Sequence, residues 1–136
     1  MTVDLPDISR RGDEDFGSLT ESEKDLYCLM LFQVIHEMEG FDHFFVTDRN
    51  VHLPRILALL KAAEAPNYPS IKEMCDWIEH ECPTWEPRLV EELVFRCEHD
   101  AMIDAWGDSL YSQIDPMWDA VNRHLKKCRG MKIAKR

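Results

Sequence analysis

Glycine is scarce in this chain, with five residues in 136. So little glycine disfavours a loop-rich all-β fold. It also leaves no glycine-rich loop before a helix to cradle a phosphate. Gly-x-Ser-x-Gly and Cys-x-x-Cys are missing, which removes the serine-nucleophile elbow and the common zinc-ligand spacing. No segment alternates apolar and polar residues for long enough to predict a strand. The long helix read over residues 26–38 is too short and too polar at its ends to span a bilayer, which needs ~20 apolar residues. Residues 1–18 are acidic and hold no apolar run, so no secretory signal is predicted there. The five cysteines, Cys28, Cys75, Cys82, Cys97 and Cys128, are odd in number, and each falls on or beside an apolar helical face. Reduced core thiols and a cytoplasmic location are the expectation.

Metal ligation and catalysis find little support in what remains. His36-Glu37-Met38-Glu39-Gly40 begins like a zinc-protease helix but lacks the second histidine four residues on. His80-Glu81-Cys82 and Cys97-Glu98-His99 set their ligands too close in sequence to share one side of a helix. No metal site, cofactor or catalytic residue is predicted, and the chain is expected not to be an enzyme.

Bases are also short: 16 against 26 acids, a net charge of −10. Lys126, Lys127, Arg129, Lys132, Lys135 and Arg136 place six of them in the last eleven residues, where no acid stands, so residues 1–125 carry a net of −16. A field of that sign repels nucleic acid and attracts basic proteins.

What the chain does contain is helical periodicity. Residues 19–45 form its organising stretch. Thr20-Glu21-Ser22-Glu23 is a capping-box order, and acids in a first turn suit the helix dipole. Leu26, Tyr27, Leu29, Met30, Leu31, Phe32, Val34 and Ile35 cover most of the helix circumference, which predicts a buried helix. It ends at Gly40, and Gly40-Phe41-Asp42-His43-Phe44-Phe45 follows as a phenylalanine-rich turn closing the core. A second helix has Pro54 in its first turn and the stripe Ile56, Leu57, Leu59, Leu60, Ala63, stopping before Pro66. A third opens on a capping-box order at Ser70 to Glu73, carries Ile71, Met74, Cys75, Ile78 and Cys82, and ends at Pro83. A fourth opens at Thr84-Trp85-Glu86-Pro87, carries Leu89, Val90, Leu93, Val94 and Cys97 inside, and runs to about Ile103, breaking near Gly107. A short piece over 109–114 and a fifth helix from Asp115 to Gly130 complete the pattern. The expectation is an all-α single-domain bundle of about five helices around a buried first helix. Residues 1–18 form a mobile acidic arm, residues 19–129 the helical domain and residues 130–136 a basic tail.

Acidic spacing is the most informative surface feature. Glu73, Asp76 and Glu79 stand three residues apart on one helix, with β-carbons roughly 5–6 Å apart. Glu91 and Glu98 lie outside the apolar face of the next. Such density compares with duplex DNA, which carries one charge per ~1.7 Å of axis. These five are the candidate partner-binding residues. Trp77, off the apolar stripe of its helix, is expected to be partly exposed.

Leu19-Thr20-Glu21-Ser22-Glu23 with Tyr27, then Gly40-Phe41-Asp42-His43-Phe44-Phe45, Ile56-Leu57-Ala58-Leu59-Leu60-Lys61 and Ile114-Asp115-Pro116-Met117-Trp118 together resemble a bacterial all-helical family named for a DNA-mimic protein. Most members of that family have no known activity. Glu39 stands where the family has a first glycine and His43 where it has glutamine. The family's named member is an acidic dimer that binds a transcriptional regulator in place of DNA. The resemblance therefore implies a homodimer and a basic DNA-binding regulator as partner, with no cofactor. The expected function is a non-enzymatic acidic binding protein, with no direct nucleic-acid binding by its body and no membrane association. Two alternatives remain: an immunity or antitoxin-like protein that neutralises a basic toxin, and an uncharacterised structural domain with no charge-selected partner.

Overall fold

The computed structural model describes residues 1–134, with Asp48 and Arg49 described through their backbone alone. Among these residues the fold is an all-α helical bundle. Its eight α-helices are α1 (Leu5–Asp15), α2 (Glu21–Glu39), α3 (Phe41–Val46), α4 (Leu53–Ala62), α5 (Tyr68–Glu81), α6 (Pro87–Val94), α7 (Asp100–Ser112) and α8 (Ile114–Arg129). Two short parallel strands, β1 (Thr2–Val3) and β2 (Lys132–Ile133), tie the two ends of the described chain together.

The long helix is α2, and its capping box forms as the sequence predicts. Thr20 Oγ1 accepts the Glu23 amide at 3.2 Å, and Glu23 Oε1 accepts the Thr20 amide at 3.0 Å. Residues Asp25 to Leu29 are buried in an unbroken row, so this half is enclosed on all sides by α1, α4 and α8. Farther along, Val34 and Met38 are exposed. The circumferential burial expected for the whole helix holds only where neighbours surround it. Gly40 ends α2 at φ 98°, and the phenylalanine turn is itself a short helix, α3. Phe41, Phe44 and Phe45 are buried against α2, with Phe44 edge-on to Phe32 at 5.3 Å.

Several expectations are corrected. Helices number eight rather than about five, and α2 is second in order. Residues 1–18, expected to be a mobile arm, hold β1 and α1, with Val3, Leu5 and Ile8 in the core. Three apolar residues suffice because the partners come from α2 and from β2 at the far end of the chain. The Ser70 capping box does not form, because α5 starts earlier, at Tyr68. Asn67 in the cap position is fully buried, and its amide donates to Met117 Sδ at 3.1 Å. The fourth helix stops at Val94, and Arg96 turns the chain out with extended ψ (133°). A 3-10 turn, Cys97–His99, leads into α7, which passes straight through Gly107. A Cβ there would stand 3.1 Å from the Phe41 ring, so this glycine permits helix contact instead of breaking the helix. Leu89 and Cys97, expected inside, are exposed, as is Cys128. Lys135 and Arg136 of the predicted basic tail lie outside the described residues.

Candidate functional site

Helices α4 and α5 pack side by side and leave an open groove of about 380 Å³ at one end. Val51, Leu53, Pro54 and Leu57 form one wall, and Cys75, Asp76 and Glu79 of α5 form the other. Trp85 closes the end. The groove exists because α5 turns its periodic stripe (Ile71, Met74, Cys75, Ile78) into the core, which leaves the next helical row, Asp76 and Glu79, at the junction. Trp85 adopts φ 53°. A bulky residue in the left-handed region costs about 1–2 kcal/mol, and such strain persists only where the surroundings hold it. Here the Trp85 amide donates to the Cys82 carbonyl at 2.9 Å, closing the turn that follows α5.

The groove's chemistry is simple. Burial pushes the Cys75 thiol up to about 12, so it stays protonated and non-nucleophilic at neutral pH. Asp76 is ion-paired to Lys72 one turn earlier. Asn50 donates its amide to the Phe45 carbonyl at 3.0 Å. Glu79 is exposed and has no ion pair among the described residues.

The five candidate carboxylates do not form one face. Asp76 and Glu79 meet at the groove. Glu73 does not line it, because three-residue steps drift around a helix and separate Glu73 from Glu79 by about 120°. Glu91 lines a second, shallower hollow of about 550 Å³ with Arg88, Glu92, Phe95 and Arg96. Glu98 stands beyond α6 beside Arg96 (3.8 Å) and His99 (3.6 Å). Trp77, half-buried as expected, packs against Trp106 of α7 at 5.9 Å and His99 at 5.0 Å.

Two acids not singled out in the sequence, Asp104 and Asp108, extend this surface beyond Asp100, which the spacing already places outside the apolar face of the fourth helix. Asp100, Asp104 and Asp108 recur one turn apart along α7, all exposed. The four-residue spacing is readable in the sequence, but dividing residues 84–114 at Gly107 hides it by placing the three in different elements. From α5 to the end of α7, residues 68–112 hold eleven acids and three bases, a net of −8, against −7 over the longer stretch 1–67 and +5 over 113–136.

Around α1, α2, α4 and α8 several acids are held by arginines. Arg11 joins Asp7 and Glu23, and Arg55 joins Glu21. Asp25, buried, receives Arg55 at 2.9 Å and Arg129 at 3.0 Å. Among the described residues no three His, Cys, Asp or Glu side chains converge as a metal ligand set, and no helix is long and apolar enough to cross a membrane. Comparison with protein-family models, with curated proteins and with solved structures finds no match to the chain. The resemblance to the DNA-mimic family thus rests on the motif residues quoted for it.

Proposed function

We propose that this protein is a non-enzymatic acidic binding module whose α5–α7 surface engages a basic protein. One observation carries the proposal: residues 68–112 hold eleven acids against three bases, and Asp100, Asp104 and Asp108 form an exposed row on α7 with no ion pair among the described residues, whereas Asp7, Glu21, Glu23 and Asp25 on α1 and α2 are each held by arginine. A merely solvated surface needs no such unpaired row. A partner with a basic face gains both attraction and an accelerated encounter. A DNA-binding regulator presents a face of that kind, and occupation of its DNA site would make the protein a DNA mimic. Its absence of catalysis and its homodimeric assembly belong to the same proposal.

Immobilised protein incubated with lysate at low salt is expected to capture a basic partner and release it in a ~0.5 M salt wash, where the screening length falls well below 10 Å. The variant Glu73→Lys/Glu91→Lys/Asp104→Lys, at exposed positions, is expected to fold normally and capture little. A partner held undiminished through the wash, or held equally by the variant, would refute charge-selected binding.

A further inference from the structure

The groove between α4 and α5 is unlike the rest of the acidic surface, because it is mainly apolar. Val51, 72% exposed, stands at its lip on the 3-10 turn Asp48–His52. Pro54, Leu57 and Trp85 continue the apolar lining inward. Its polar groups are mostly committed: Asn50 to the Phe45 carbonyl, Lys72 to Asp76. Of the lining acids, Asp76 is paired with Lys72 and Glu79 has no ion pair among the described residues, so the groove combines an apolar floor with an exposed carboxylate at its edge.

We infer that this groove seats one large apolar side chain of an extended partner segment, with a neighbouring lysine or arginine of that segment paired to Glu79. Size and charge both select this occupant. A volume of about 380 Å³ lies at the small end of ligand sites, enough for a side chain and its flanking backbone and too little for a packed helix. The exposed Glu79 carboxylate selects a cation, and the apolar lining rewards an aliphatic or aromatic anchor. No set of convergent donors marks the groove for a polar metabolite. The inference rests on the proposal that the partner is basic, and adds that recognition is anchored in a pocket. Pure DNA mimicry predicts no such anchor.

The test uses the full chain, ¹⁵N-labelled, titrated at low salt with acetylated, amidated heptapeptides Gly-Lys-Lys-Leu-Lys-Lys-Gly and its alanine-centred counterpart. The leucine peptide is expected to shift the Val51, Leu57 and Trp85 resonances. The alanine peptide is expected to bind about tenfold more weakly, the effect of losing one buried leucine side chain. In Glu79→Gln, the leucine peptide is expected to bind several-fold more weakly. Equal binding of the two peptides, or shifts confined to α7, would overturn the groove while leaving charge-selected binding intact. Absence of shifts with either peptide also overturns the groove, and the lysate capture then decides the acidic proposal separately.

Discussion

Asp25 is the carboxylate on which α2, α4 and α8 converge. Arg55 and Arg129 each give it a charge-assisted hydrogen bond, and Arg129 also donates to Ser22 Oγ at 2.9 Å. Replacing Asp25 with alanine leaves the Arg129 guanidinium without a counter-charge and Arg55 with only the exposed Glu21. With the partners about a third exposed, solvent screens part of the loss. The expected cost is about 1–3 kcal/mol, read as a lower urea midpoint with unchanged slope. His36 poses the opposite problem. It is buried with both ring nitrogens lacking hydrogen-bond partners, among Phe32, Phe41 and Tyr111. Desolvation holds its imidazole below the usual value, against the opposing pull of Glu37 and Asp42. The unfolded chain takes up this proton near pH ~6.5 while the folded chain does not. Stability is therefore complete above that pH and declines as pH falls below it. Thermal unfolding from pH 7.5 to 5.5 is expected to show a smaller drop in midpoint for His36→Phe than for the wild type.

At the scale of helices, α1 and α2 touch so closely that Gly12 has no room for a side chain: a Cβ there would lie 2.2 Å from the Tyr27 ring. Gly12→Ala must push the two helices apart, and overpacking of this kind costs about 1–3 kcal/mol. Its signature is loss of amide-exchange protection in α1 before α4 or α8. This contact also shows where sequence ceases to inform. Thr20 and Glu23 announce the start of α2 because capping is local, and the stripes of α4 and α5 are legible because burial follows helical period. Asp4 caps the Asp7 amide and is a local sign of α1, but the β1–β2 pairing that ties this end of the chain to the body joins residues at its two ends and leaves no local mark. The run from Leu89 to Cys97 is periodic on paper, yet its inner face lasts only to Val94, because the chain turns away at Arg96. The candidate site divides in the same way. Asp76 and Glu79 were legible as acids, but the groove beside them needs α4 in place, and composition is silent on that.

For the molecule as a whole, the relevant quantity is the density of negative charge along α5–α7. Like charges crowded on α5–α7 repel one another, so this surface costs the folded state some stability. Asp104→Lys, in the middle of the α7 row, is expected to leave the melting midpoint unchanged or slightly raised at low salt, and to reduce capture of a basic partner. The same variant in ~0.5 M salt is expected to melt like the wild type, because screening removes the repulsion it relieves. A fall in midpoint at low salt would show that α7's acids are stabilising contacts and would weaken the case for a selected surface.

The β1–β2 clasp has a mechanical consequence. The Lys132 amide donates to the Met1 carbonyl and the Ala134 amide to the Val3 carbonyl, each at 2.8 Å, across two strands that run the same way. Tension applied across the two ends therefore drags the strands past each other lengthwise, loading both bonds together rather than peeling them in turn. Under a stretching force this small clasp yields abruptly, as a single event, and only afterwards does the load reach the helices.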